Sequence, residues 1–103
     1  MNYKTLQENA HEAAEFLKTL GNEWRLMVLC SLGTTEKSVS TLEGELGIKQ
    51  SALSQHLARL RREGLVKTRR ESQTIVYSLA AGPAASVLDV LYGAYCGGRR
   101  AGS

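Results

Sequence analysis

The fold turns on Gly47-Ile-Lys-Gln-Ser-Ala-Leu-Ser-Gln-His-Leu-Ala-Arg-Leu-Arg-Arg-Glu-Gly64. Wound at about 100° per residue, positions 51–63 separate into two faces. Leu53, Leu57 and Leu60 recur at i, i+4 and i+7, an apolar stripe that needs a core. Opposite them lie Ser51, Ser54, Gln55, Ala58 and Arg62, with Arg59 on the flank. Short polar side chains let a helix approach base edges, where Ser and Gln both donate and accept hydrogen bonds. Arginines on the last turns suit the flanking phosphates. Taken alone, the helix also reads as an ordinary solvated amphipathic one.

The residues beyond this helix favour the nucleic-acid reading. Gly64 stands where a helix end needs positive φ, and Leu65 can pack back behind it. Residues 65–70 and 73–79, rich in β-branched side chains, read as two strands joined by a short turn at Glu71 and Ser72. Alternation puts Ile75, Tyr77 and Leu79 on one face. Residues 49–70 hold seven of the thirteen Lys and Arg (Lys49, Arg59, Arg61, Arg62, Lys67, Arg69 and Arg70) and one acid, Glu63, a net of +6. Residues 1–48 hold four basic and seven acidic side chains, a net of −3. A basic helix and hairpin set against an acidic remainder is the footprint of a DNA-binding face. The fold class is therefore mainly α with a β-hairpin wing: a winged helix-turn-helix of five helices and two strands. Its second motif helix would enter the major groove, and a wing bearing Arg69, Arg70 and Gln73 would lie along the adjacent backbone or minor groove.

The 103 residues suffice for one modest core, taken as a single domain over 1–98 with a disordered tail at 99–103. No apolar run approaches a membrane span and the start lacks a signal-peptide core, so the expected location is the cytoplasm. Leu6, Ala10, Ala13, Ala14, Leu17 and Leu20 stripe one first helix ended by Gly21, with His11 solvated beside Glu15. Asn22 caps a second helix, residues 23–32, with Leu26, Leu29 and Cys30 on its apolar arc. Residues 34–37 read as a loop. Ser40 and Glu43 have capping-box spacing for a third helix, closed by Gly47 before a tight turn over 48–50. Pro83 can open a last helix whose apolar residues form no single stripe: Val87, Leu91 and Ala94 point one way, Leu88, Tyr92 and Tyr95 another. So small a domain cannot bury both faces. A second copy is expected to cover them, with Leu6, Ala10, Leu17, Leu88, Leu91, Tyr92 and Tyr95 at the seam.

Leu-Gly-Asn-Glu-Trp-Arg-Leu-Met-Val-Leu-Cys30, the Ser51–Leu65 run with its Ser-Gln-His-Leu segment, and Arg70-Glu-Ser-Gln-Thr-Ile-Val-Tyr77 together resemble the ArsR/SmtB family of dimeric winged-helix repressors. The resemblance spans nearly all of residues 10–96. It implies a homodimer on double-stranded operator DNA, contacted by Gln50, Ser51, Ser54, Gln55, His56, Arg59, Arg62, Arg69, Arg70 and Gln73. Trp24 departs from the small or basic residue usual in such sequences and reads as a cover for the dimer core, while His56, between the core and groove faces, reads as either a packing residue or a phosphate contact. Lys49 departs from a usual helix-capping Ser, so Ser51 is the alternative cap. Within the family, Cys30 and Cys96 resemble the dithiol sensors of the BigR, SqrR, HlyU and YgaV type. That implies a low-molecular-weight persulfide or oxidant as inducer, and release of DNA when the pair is bridged as a disulfide or polysulfide.

Three rival readings stand beside this one. Metal sensing has little support: the third helix carries no soft ligand, and the last offers Asp89 and Cys96 but no His. No metal or other cofactor is expected. Two inert core thiols are what cysteines in apolar helix segments ordinarily are. A thiol enzyme would need an activated thiolate, but both cysteines fall late in their helices, where the dipole disfavours negative charge. No nucleophile or phosphate-loop motif accompanies them, so no catalytic residue is assigned.

Overall fold

The computed structural model describes residues 2–97. The elements run α1 (Tyr3–Glu8), α2 (Ala10–Leu20), α3 (Glu23–Leu32), β1 (Lys37–Ser38), α4 (Val39–Leu46), α5 (Gln50–Arg62), β2 (Val66–Glu71), β3 (Thr74–Leu79) and α6 (Pro83–Cys96). The winged helix-turn-helix is there: α4 and α5 are the motif, and β2 and β3 the wing. The expected tail over 99–103, like residue 98 of the expected domain, lies outside the described residues.

Two element counts differ from expectation. The first helix is two, because Asn9 turns its side-chain amide onto the Thr5 carbonyl at 2.9 Å, offering the backbone a local alternative to the helix. The described residues thus form six helices. The supposed loop before α4 supplies a third strand: Lys37 pairs with Tyr77 and Ser38 with Val76, giving the antiparallel order β1-β3-β2. Two residues are too few to show a period-2 signal. The cap of α4 also moves, since the Ser38 hydroxyl, not Ser40, accepts from the Thr41 amide at 3.2 Å.

The core forms where the leucine stripe of α5 meets α3 and α4. Leu53 and Leu60 are wholly buried and Leu57 is 1% exposed, packed with Val28, Leu29, Leu32 and Leu42. Burying each such side chain is worth about 2 kcal/mol, so the stripe fixes which face of α5 remains outside. In α3 the buried arc is Arg25, Val28, Leu29 and Leu32, rotated from the expected one; Leu26 and Cys30 are half-buried on its edge.

Two glycines set the ends of the motif. Gly47, at φ +68, ends α4 in the left-handed region, which lets two further residues redirect the chain into α5. Gly64, at φ +76, ends α5: its amide bonds to the Arg61 carbonyl at 3.0 Å and the Leu65 amide to the Leu60 carbonyl at 2.9 Å. That pair of bonds is a Schellman stop, with Leu65 buried behind it. The chain then enters β2, whose Glu71 pairs with Thr74 across a turn at Ser72 and Gln73.

α6 begins on Pro83 and places Ala84 and Leu88 in the core. Leu88 is a correction: fully buried within its own subunit, it is no part of a surface for a partner. Leu6, Leu17 and Tyr95 are exposed, Leu91 and Tyr92 half-buried, and Val90, which the sequence pattern did not single out, is 70% exposed. Ala10 and Trp24 also lie on the surface.

Candidate nucleic-acid interface

The outer face of α5 is polar, then cationic, as its sequence implies. Gln50, Ser51, Ser54, Gln55, Ala58, Arg61 and Arg62 are all exposed. Lys49 is the N-cap and makes no side-chain cap bond, and Ser51 lies inside the first turn, so it does not cap the helix. The first-turn amides of α5 therefore stay open beside an exposed Lys49, an arrangement that favours an anion. Among the described residues, Lys49, Arg61, Arg62, Lys67 and Arg70 have no ion-pair partner.

The inner flank of the same helix is built differently. Arg59 Nε donates to Glu63 Oε2 at 3.0 Å, and its Nη2 lies 3.4 Å from the Thr19 hydroxyl. That hydroxyl has one proton for two acceptors, the Glu15 carbonyl at 3.2 Å and the closer, charged Glu63 Oε1. The carboxylate takes it. The Thr19 hydrogen bond first, then Arg59, hold the Glu63 carboxyl below its ordinary range against the opposing effect of burial. One turn earlier, His56 is half-buried with Nδ1 3.5 Å from Arg25 Nη1. Burial first, then the charges of Arg25 and Arg59, hold its pKa below the ordinary value. His56 thus faces the protein interior and Arg59 is half-buried in a pair, so neither stands on the open face.

The wing divides in the same way. Arg69 reaches back from β2 to Glu36 before β1, its Nε at 2.9 Å from Oε2, and its Nη2 lies 2.7 Å from Glu71. These carboxylates, Glu36 foremost, push its pKa up and offset its charge. Arg70 is exposed, and Gln73 is exposed at the hairpin turn. A separate tie, Lys37 to Glu45 with Ser31 between, joins β1 to the ends of α3 and α4.

Cys30 is half-buried on α3, packed against the core cluster, and Cys96 is exposed as the last residue of α6. His11 is exposed, 4.0 Å from Glu15. Among the described residues no three His, Cys, Asp or Glu side chains converge on a point that could hold a metal ion. No helix among them is long and apolar enough to cross a membrane.

Sequence reasoning missed Arg25 and Thr19. The available signal was positional: Arg25 stands on the i, i+3, i+4, i+7 arc with Val28, Leu29 and Leu32, and a charge on a core arc needs buried partners.

Comparisons with known proteins bear on this geometry. Residues 22–68 match the family model described as bacterial regulatory protein, arsR family. The transcriptional activator HlyU of Vibrio cholerae is 45% identical over 96 residues, which span 93% of this chain and 89% of the relative. Among solved structures, the repressor BigR from Xylella fastidiosa superposes with a TM-score of 0.85 at 42% identity, covering 93% of this chain and 98% of that one. Reduced HlyU from Vibrio cholerae gives 0.84 at 44% identity, covering 90% and 98%.

Proposed function

The chain belongs to the arsR family of bacterial regulatory proteins and is a DNA-binding transcriptional regulator; from that premise we propose that it is a homodimeric repressor whose hold on operator DNA is released when Cys30 and Cys96 are oxidised. The observation that carries the DNA half is the outer face of α5, Ser51, Ser54, Gln55 and Arg62, presented on a fully buried leucine stripe. In a two-fold dimer, two such faces meet half-sites about one helical turn, ~34 Å, apart. Arg70, Gln73 and Lys67 of the wing and Lys49 at the helix start would flank them on phosphate. The exposed Leu6, Leu17, Val90 and Tyr95 support α1, α2 and α6 as the seam.

The sensing half rests on where the thiols lie. Cys96 is open to a small reagent, whereas Cys30 packs against the core into which α6 inserts Ala84 and Leu88. A relative solved as reduced HlyU fits a regulator with two thiol states. In the proposed sequence the Cys96 thiolate attacks the outer sulfur of a low-molecular-weight persulfide, forming a Cys96 persulfide and releasing the carrier as a thiol. Cys30 then attacks the Cys96 Sγ and expels hydrosulfide, which leaves a disulfide. The two cysteines lose the two electrons that reduce the sulfane sulfur. A bridge between α3 and α6 constrains the seam and so the spacing of the two α5 helices. A tenfold loss of operator affinity requires only ~1.4 kcal/mol of coupling.

Intact-mass spectrometry after separate exposure to glutathione persulfide, peroxide and oxidised glutathione tests this reading, paired with operator binding by Cys30→Ser and Cys96→Ser. Both variants should bind when reduced and fail to release on persulfide treatment. A normal response from either one refutes the dithiol mechanism.

A further inference from the structure

Arg25 is 8% exposed, too buried to reach a phosphate on bound DNA, and such a cation persists inside a protein only where its donors are satisfied. Its Nε donates to the Thr19 carbonyl at 2.7 Å and its Nη2 lies 3.5 Å from the Lys18 carbonyl. Both carbonyls belong to the last turn of α2, where they lack helical partners and where the helix dipole favours a cation. The third reach is across to α5, to His56 Nδ1. A guanidinium only donates, so a hydrogen bond here requires Nδ1 to accept and the ring proton to sit on Nε2.

We propose that Arg25 is a positioning residue for DNA recognition: it latches the inner flank of α5 to the end of α2 and so sets the angle at which the outer face meets the groove. This rests on the DNA-binding reading above. The latch has two points. At one, Arg25 joins Thr19 to His56; at the other, the Thr19 hydroxyl meets Glu63 and Arg59. His56 and Glu63 lie seven residues apart, two turns along one flank. The leucine stripe fixes which face of α5 is outside, and two anchors two turns apart on one flank then set its tilt against α2. Thr19, wholly buried, serves both points, one through its carbonyl and the other through its hydroxyl.

The groups facing His56 are Arg25 from α3 and Arg59 from its own helix, with Glu63 beyond Arg59, and among the described residues no carboxylate is paired with the ring. Protonating His56 would remove the acceptor and add a third cation. The latch therefore works with neutral His56 and loosens on acidification.

A loosened latch has a distinct signature. Counterion release follows the number of cations on the outer face, which the latch does not change. Base-edge contacts need accurate placement and are lost first. The test uses the full chain and a duplex that the wild type selects from a randomised pool, with a random duplex as reference. Arg25→Lys keeps the charge but loses the planar fork. It should lower the selected-to-random affinity ratio by about tenfold, the size of one lost base-edge contact, with the salt slope on random duplex unchanged. His56→Leu should do the same, whereas His56→Gln, which keeps an acceptor, should retain the ratio. In the free protein, 15N shifts should report His56 as the Nε2–H tautomer, becoming a mixture in Arg25→Lys. Equal losses on both duplexes with a flatter salt slope would make Arg25 a phosphate contact and overturn the proposal, as would an unchanged ratio in Arg25→Lys and His56→Leu. If the wild type selects no duplex, the DNA reading fails. The tautomer then decides the latch by itself: a mixture in the wild type refutes it.

Discussion

The two flanks of α5 carry the same residue types and put them to opposite use. On the outside, Arg61 and Arg62 have no ion-pair partner among the described residues; on the inside, Arg59 is spent on Glu63 and Thr19. The wing repeats the contrast, with Arg69 held by Glu36 and Glu71 beside an open Arg70. A charge total read along the chain counts tied and open arginines alike. Only the open ones contribute a full charge to an approaching phosphate, because a cation already facing a carboxylate must exchange one anion for another. The tied ones instead fix where the open ones stand.

The largest expected effect is on the buried side. Leu57→Ala removes the middle of the stripe and should cost about 2–5 kcal/mol of unfolding free energy, measured in urea, while the protein that remains folded keeps its salt slope on DNA. Val90→Asp tests the seam more cleanly than a change at half-buried Leu91, because Val90 makes no demand on the subunit's own core. It should yield folded monomers in sedimentation, and a full dimer would remove α6 from the interface. Gln55→Ala should relax preference at one base pair by about 1–3 kcal/mol, leaving random duplex binding intact.

On the inner flank, acid should work through His56 and Glu63. His56 and Glu63 both have folded pKa values below their ordinary 6.5 and 4.5. Between the folded and unfolded values the unfolded chain binds more protons, so stability is complete above the unfolded value and falls as pH drops through the folded one. The melting temperature should therefore decline below about pH 6.5, with His56→Gln removing the upper part of the decline and Glu63→Gln a share of the part below about pH 4.5, where Glu36, held low by Arg69, and Glu45, held low by Lys37 and Ser31, take up protons too. A melting temperature that rises on acidification from neutrality would contradict these environments.

Much of the fold was legible because its signals are local. Leu53, Leu57 and Leu60 keep helical spacing, Gly64 and Leu65 mark the stop, and β-branched runs mark the wing. The misses are tertiary. Arg25 shares an arc with Val28, Leu29 and Leu32, but what satisfies it is known only once the end of α2 is seen to meet it. Leu88 reads as half of a two-faced helix until α6 is seen to insert it. β1 exists only because β3 offers it an edge. Of the expected DNA contacts, the exposed ones were readable from helical phase, but whether Arg59 and Arg69 were already taken depended on Glu63, Glu36 and Glu71, and only folding brings Glu36 to Arg69.

The most direct test of the account is operator affinity measured by fluorescence anisotropy across a salt series. The wild type should show a steep fall in affinity with salt, and Arg62→Ala and Arg70→Ala should each lower the slope by about one. Arg59→Ala and Arg69→Ala should change it by less than half as much. Binding that ignores salt, or a slope that falls equally for all four arginines, would contradict the division between open and tied cations.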